Sequence, residues 1–270
     1  MKIAAVQMVS SPDWENNRER AAHWVAAAAA AGARLVALPE YFCLMGQRDS
    51  DKLALAEPAG AGPIQDFLSG LAREHELWLV GGTLPVAGGE PGRALNRCCV
   101  FAPDGREAAH YDKLHLFAFD NGRESYDEGR TLRAGSAPVA LDLPSEAGAL
   151  RLGLSICYDL RFPELYRALM NPPCDLLVLP AAFTHTTGQA HWELLLRARA
   201  VENQCYVLAS AQGGTHPNGR RTWGHSMVID PWGTVLDVLP EGEGFAIADL
   251  DPGRIKQVRL QLPALAHRRL

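Results

Sequence analysis

The stretch Leu152–Arg167, LGLSICYDLRFPELYR, decides how the rest of this chain is read. Its first five residues are apolar or small, which suits a buried strand, and Pro163 opens a segment with helical spacing, as proline does in a first helical turn. Cys157 therefore stands where a strand stops. In open α/β sheets the carboxyl ends of strands face the ligand crevice, so a thiol at that address is placed to react. The plainer alternative is an inert core cysteine, since environment rather than presence makes a thiol reactive.

Outward from this stretch the same grammar recurs. Lys2 to Met8 reads as a short buried strand, Asp13 or Asn16 as the cap of an alanine-rich helix ended by Gly32, and Arg34 to Leu38 as a second strand. Glu40 follows that strand at once, at the same kind of address as Cys157. Pro63 to Glu76 reads as an amphipathic helix, and Leu77 to Leu84 and Leu95 to Phe101 as strands, with Cys98 and Cys99 pointing to opposite faces. Ala108 to Tyr111 delivers Lys113, and Asp120 to Gly135, with three glycines, reads as a loop of about 15 residues, a length that is usually functional or disordered. Asp175 to Phe183 echoes Arg34 to Phe42, which suggests two related β-α-β units. Gln189 to Asn203 is a helix; four strands follow, from Gln204 to Leu250, and Asp251-Pro252 opens a last helix. Trp223 and Trp232 fit turn and core roles. No linker or low-complexity segment divides the chain, so residues 1–270 are expected to form one α/β domain.

Composition narrows the function. With 47% apolar and 21% charged residues the chain can bury a sizeable core, and a net charge of -5 without a longer basic run than Arg220-Arg221 or Arg268-Arg269 excludes a nucleic-acid footprint. No stretch approaches a membrane span, and the apolar start is too short for a signal peptide. Six cysteines without Cys-x-x-Cys spacing, and histidines without ligand spacing, offer no metal site; free thiols point to a reducing cytoplasm. His185 and His191 have no acid or cysteine beside them at ligand spacing.

A carboxylate (Glu40), an amine (Lys113) and a thiol (Cys157) are what thiol-based amide hydrolysis needs: a base to take the thiol proton, and a cation where charge develops on the carbonyl oxygen. Each also has an ordinary structural reading, and spacing alone does not join them. The wording around them does. Leu-Pro-Glu-Tyr-Phe (38–42), Tyr-Asp-Lys-Leu-His-Leu (111–116) and Cys-Tyr-Asp-Leu-Arg-Phe-Pro-Glu-Leu (157–165), in this order, resemble the signature segments of the nitrilase superfamily of carbon–nitrogen hydrolases. Segments around His191-Trp192-Glu193, Gly224–Val228 and Gln257-Val258-Arg259 resemble its Nit-type amidases.

The resemblance implies a four-layer α-β-β-α sandwich, paired into a homodimer or larger homo-oligomer, working without metal or cofactor. It assigns Cys157 as nucleophile, Glu40 as general base and then acid, and Lys113, with the Tyr158 N–H, as oxyanion holder. A second glutamate that orients the lysine matches Glu128, seven residues before Gly135, with Glu124 as its rival. Arg161, four residues after the thiol, is either a clamp for a substrate carboxylate or a structural partner of Asp159 or Glu164. Phe183, Thr184, Thr187 and Trp192 are expected pocket walls, and the 120–135 and 183–192 stretches are expected to shape the leaving-group side. The implied substrate is a small carboxylate-bearing amide, the 2-oxoglutaryl amide of deaminated glutathione, with 2-oxoglutaramate or succinamate as the alternative. A catalytically silent binding protein on the same scaffold is the reading from another class.

Overall fold

Two β-α-β-α-β units organise the computed structural model, which describes residues 1–144 and 148–269. In the first, β1 (Lys2–Gln7), α1 (Trp14–Ala30), β2 (Leu35–Ala37), α2 (Pro63–Glu74) and β3 (Trp78–Val80) follow in order, their strands parallel. β4 (Leu84–Ala87), β5 (Ala94–Phe101) and β6 (Glu107–Asp112) continue that sheet antiparallel. β7 (Ala118–Asp120) and β8 (Ser125–Asp127) make a small hairpin, β9 (Leu132–Arg133) returns to β5, and β10 (Ala140–Leu143) begins the second sheet. The second unit is β11 (Leu150–Leu154), α3 (Pro163–Ala168), β12 (Leu176–Ala181), α4 (His185–Asn203) and β13 (Tyr206–Ala211), again parallel. The chain ends with β14 (Gly213–Thr215), β15 (Arg221–Trp223), β16 (Ser226–Ile229), β17 (Val235–Leu239), β18 (Gly244–Asp249) and α5 (Pro252–Gln261). Among the described residues one sheet has the order β18-β1-β2-β3-β5-β4 with β6 and β9 on β5, and the other β10-β11-β12-β13-β16-β17.

Strand alternation sorts the core into layers. Ile3, Ala5, Leu35 and Ala37 face the second sheet, packing with Leu152, Leu154, Val178 and Leu208. Ala4, Val6, Val36 and Leu38 face the other way, under Ala21, Val25, Ile64 and Leu68 of α1 and α2. Cys98 joins the inter-sheet cluster and Cys99 the one beneath the helices, as the two-residue period requires. Trp192, Leu196 and Ala200 of α4 close the second sheet from outside, completing a four-layer α-β-β-α sandwich. Polar stitches cross between sheets near the strand ends: Ser210 Oγ donates to the carbonyls of Val6 and, at 3.0 Å, Ala37. The Gln212 amide donates to the Glu40 carbonyl at 3.0 Å.

Several boundaries depart from the sequence reading. The run Leu77 to Leu84 is two strands, broken at Gly81-Gly82, because Gly82 takes φ +60° and packs against the Pro39 carbonyl where a Cβ would stand 2.3 Å away. The expected loop from Asp120 to Gly135 contains the end of β7, all of β8 and β9, and one turn of 3₁₀ helix at Glu128–Arg130, its polar residues lying on short exposed strands. α4 begins four residues early, at His185, capped by Thr184, whose hydroxyl accepts the Thr187 N–H at 3.3 Å. Trp232 is 54% exposed rather than part of a core.

One buried side chain ties the outer helix to the thiol-bearing turn. Arg199 on α4 donates through Nε and Nη2 to the Leu160 carbonyl at 3.2 and 2.7 Å and through Nη1 to Glu202 at 2.8 Å, with its guanidinium over the Tyr166 ring. Removing it orphans a buried carbonyl, so Arg199→Ala is expected to lower unfolding free energy by about 2–4 kcal/mol. Lysine, which lacks the forked donor, recovers only part. Urea unfolding of the three proteins checks this; an unchanged midpoint for the alanine variant would refute it.

Candidate active site

Glu40, Lys113 and Cys157 each arrive from the end of a different strand. Leu38-Pro39 leaves β2 and Glu40 follows in a turn whose next residue, Tyr41, has φ 56° and donates its N–H to Thr83 Oγ1 at 2.9 Å. Lys113 leaves β6, its backbone fixed by an N–H to the Asn96 carbonyl at 3.0 Å and by the Gly135 N–H on its own carbonyl at 2.9 Å. Gly135 is required there, since a Cβ would meet the Asp112 carbonyl oxygen at 2.2 Å. Cys157 follows β11 after Ser155-Ile156 and opens a 3₁₀ turn, Cys157–Arg161, with φ 47°. Left-handed backbone at a residue with a Cβ is costly and persists only where its surroundings hold it.

Asp159 does the holding. Its fully buried carboxylate accepts the Ile156 N–H at 2.9 Å, closing the turn around Cys157, and the Tyr111 hydroxyl at 2.7 Å. It also accepts the His115 N–H at 3.1 Å, with His115 Nδ1 at 2.7 Å from the same oxygen. Tyr111 and His115 flank Lys113, so one carboxylate locks the lysine segment to the thiol turn. The His115 ring stacks on Phe162, 3.7 Å between centroids, at the turn's far end.

Lys113 Nζ, buried, donates to Glu40 Oε1 at 2.8 Å and to Glu128 Oε1 and Oε2 at 2.9 and 2.8 Å. Glu128 accepts further from the Tyr41 hydroxyl at 2.6 Å and the Phe117 N–H at 2.7 Å. Glu40 Oε1 also accepts from Asn96 Nδ2 at 2.9 Å, and Oε2 takes no hydrogen bond among the described residues. Burial alone would strip charge from these groups. For Lys113 the Glu128 and Glu40 carboxylates overcome that and hold the ammonium well above its ordinary range. For Glu128 burial pushes up, but the Lys113 charge and hydrogen bonds from Lys113, Phe117 and Tyr41 bring it below the usual carboxylate value. Cys157 goes the other way: burial and the Glu40 carboxylate raise its thiol well above normal, and Lys113 reverses this only in part.

These groups open on a narrow cavity of about 10 Å³, room for one water. Glu40, Glu128 and Cys157 line it, with Tyr158, Arg161, Phe183, Thr184 and Thr187 from the sequence reading. Trp192 does not. It is buried behind Phe183, rings 4.8 Å apart, with its indole N–H donated to the His225 carbonyl at 2.8 Å, so it backs the wall instead of forming it. Glu124 also stays out, bonded to Thr186 Oγ1 at 2.9 Å. Arg161 pairs with neither Asp159 nor Glu164. Its guanidinium lies over Phe183 and Tyr158, with Nη1 3.2 Å from His191 Nδ1. Phe117, Ala182 and Arg220 complete the lining. Sequence reasoning assigned no role to them, nor to Asn96 and Tyr41, although Tyr41 stands in the 38–42 segment; only the folded chain brings them together here. Among the described residues no group of three or more His, Cys, Asp or Glu is arranged to hold a metal, and no helix is long and apolar enough to cross a membrane.

Residues 2–260 match the family model for carbon-nitrogen hydrolases. A deaminated glutathione amidase of Synechocystis sp. (strain PCC 6803 / GT-S) is 44% identical over 267 residues, covering 98% of this chain and 97% of the relative. Omega-amidase NIT2 of Homo sapiens is 37% identical over 270 residues, covering 99% and 95%. Among solved structures, Nit3 of Saccharomyces cerevisiae, a member of branch 10 of the nitrilase superfamily, superposes with a TM-score of 0.87 at 33% identity, covering 100% of this chain and 97% of that one. With a sandwich of this kind, a thiol and two carboxylates lining one cavity with a buried lysine bonded to both carboxylates, and relatives named as amidases over nearly its whole length, this chain belongs to the carbon–nitrogen hydrolase family and is a hydrolytic amidase.

Proposed function

We propose that the chain hydrolyses the amide of deaminated glutathione, giving 2-oxoglutarate and cysteinylglycine, through a Glu40–Lys113–Cys157 triad and a thioester. The observation that carries this is the buried ammonium of Lys113 bonded at once to Glu40 and Glu128 beside the Cys157 thiol. Glu40 takes the Sγ proton as sulfur adds to the amide carbonyl. The carbonyl electrons move to oxygen, where Lys113 and the Tyr158 N–H hold the charge. Lys113 spends three contacts on two carboxylates, and the doubled contact to Glu128 can relax to one, releasing an N–H for the oxyanion. Collapse breaks the C–N bond while Glu40 returns the proton to nitrogen. Water then adds to the thioester carbonyl, giving its proton to Glu40, and the second collapse expels sulfur, which takes that proton back. Arg161, without a carboxylate partner among the described residues, clamps the substrate's 2-oxo acid end, with Thr187 and Phe183 beside it.

The relatives support an acyl half of this kind, one acting on deaminated glutathione and one named omega-amidase. Preference for the dipeptide amide over 2-oxoglutaramate by about 100-fold in kcat/KM, roughly 2.7 kcal/mol of differential transition-state binding, is expected; the reverse preference makes the chain an omega-amidase. Cys157→Ala should abolish turnover, and Glu40→Gln should cost at least about a hundredfold in kcat. Both variants should keep the native fold by circular dichroism. Wild-type rates in either would remove the triad.

The raised thiol gives a separate check. Cys157 should carry its proton throughout the neutral range, so the ultraviolet thiolate absorbance lost in Cys157→Ala should develop only above about pH 9, beyond a free thiol's titration. A Cys157 thiolate already present at neutral pH would contradict the proton transfer to Glu40.

The same reading makes the chain a cytoplasmic homo-oligomer. All six cysteines are free and buried. On α4, Leu194 and Val201 stand one heptad apart at 69% and 48% exposure, and Trp232 joins them because Arg197 Nε donates to the Gly233 carbonyl at 2.9 Å. Leu236 and Val238, exposed on β17, extend the apolar face, which supports pairing of two copies there. Leu194→Glu with Trp232→Glu should convert the native species to monomer in light scattering; an unchanged mass would place the contact elsewhere.

A further inference from the structure

A second guanidinium reaches the thiol cavity, and its bonding is incomplete. Arg220 follows the turn before β15 and lines the same space as Cys157, Glu40 and Arg161. It also lines an adjoining cavity of about 330 Å³, whose walls include Tyr41, Met45, Lys52, Tyr126 and Asn218. The thiol cavity alone has room for a water, whereas the adjoining one is of a size that small ligands occupy. Arg220 is therefore a wall shared by the reacting centre and a roomier space beside it.

The other cations around that larger space are committed. Lys52 pairs with Asp49 at 2.6 Å, and Arg48 with Asp51 at 3.3 Å. Arg220 has no carboxylate partner among the described residues. Its Nη2 donates to the Ala182 carbonyl at 3.2 Å, Nη1 lies 3.8 Å from the Met45 sulfur, and its Nε is buried with no hydrogen-bond partner. The guanidinium stacks over the Tyr126 ring, 5.0 Å from its centre, which fixes its plane without using its donors. A buried, unsatisfied donor on a permanent cation is expensive unless a ligand completes it. Around the two cavities Lys113, Arg161 and Arg220 are opposed by Glu40 and Glu128, leaving one more cation than the carboxylates balance before Arg161 meets the acyl end.

We propose that Arg220 and the adjoining cavity form a leaving-group subsite that receives a carboxylate carried by the amine half of the amide, as in an amino-acid or peptide amine. This rests on the amidase reading above and deepens it: a substrate with a carboxylate on each side of the scissile bond satisfies Arg161 at one end and Arg220 at the other. A bare ammonia leaving group would leave Arg220 unsatisfied.

Three amides with one acyl half test this: 2-oxoglutaryl-cysteinylglycine, the same compound with its terminal carboxylate converted to carboxamide, and 2-oxoglutaramate. Arg220→Gln is expected to lower kcat/KM for the free-acid dipeptide amide about 10- to 100-fold, mainly through KM, and at least about tenfold more than for 2-oxoglutaramate. The wild type should lose a similar factor on the carboxamide, a measurement that needs no variant, and Arg220→Gln should add little to that loss. Arg220→Lys, which keeps charge without the fork, should fall between. Equal losses on all three amides, or a wild type indifferent to the terminal carboxylate, would overturn the subsite while leaving the amidase reading intact. Wild-type turnover of 2-oxoglutaramate alone would likewise overturn it, and turnover of none of the three would remove both the subsite and the 2-oxoglutaryl substrate it rests on.

Discussion

Everything at this site depends on one buried ammonium held between two carboxylates. Lys113 is 1% exposed, and an unpaired cation there would shed its proton. Glu40 and Glu128 keep it charged, and it in turn keeps Glu128 ionised. Such a cluster is a poor source of stability, because desolvation consumes much of the Coulombic gain, but breaking one member strands the others. The surrounding donors are what make it tolerable. Asn96 supplies Glu40, and the Tyr41 hydroxyl and Phe117 N–H supply Glu128, so the carboxylates stay hydrogen-bonded out of water.

The fold supplies that arrangement by bringing strand ends together rather than by any local motif. β2, β6 and β11 belong to two sheets, and the 3₁₀ turn carrying Glu128 follows the β7–β8 hairpin. Ser210 and Gln212 fasten the sheets at the end where Glu40 emerges, and Asp159 fastens Tyr111 and His115 to the thiol turn. The left-handed backbone at Cys157 is sustained by those contacts. Loosening them would move the thiol relative to Lys113 before it altered either residue's chemistry.

The sequence made the skeleton legible where period and punctuation agree. Asp13 caps α1, accepting the Glu15 N–H at 3.0 Å; Pro63, Pro163 and Pro252 open helices; and Cys98 and Cys99 part to opposite faces. The echo between residues 34–42 and 175–183 is the echo of β2 and β12, each the middle strand of its parallel unit. What stayed illegible is what tertiary contact decides. The 120–135 stretch looked like loop because strands of two or three residues carry no period to read. Trp192 looked like pocket wall by its address, yet one helical turn beyond Gly188 faces the β15–β16 connection, where its indole finds a carbonyl. Arg220 stood in the sequence only as half of a short basic pair, and only the folded chain shows that its guanidinium meets the thiol cavity.

The protonation state of Cys157 follows from the same charge distribution and sets this centre apart from a thiolate–imidazolium pair. A histidine that has taken the thiol proton is a cation and stabilises the thiolate beside it. Here burial of the thiol and the neighbouring Glu40 carboxylate disfavour the thiolate, and Lys113 offsets this only in part. In the proposed mechanism, transfer of the proton to Glu40 takes the formal charge of the Glu40–Lys113–Glu128 cluster from minus one to zero, which lowers the repulsion felt by the sulfur as it attacks. A resting thiol kept neutral, 7% exposed at the foot of a one-water cavity, is also a weak target for oxidants, since oxidation follows thiolate character and access.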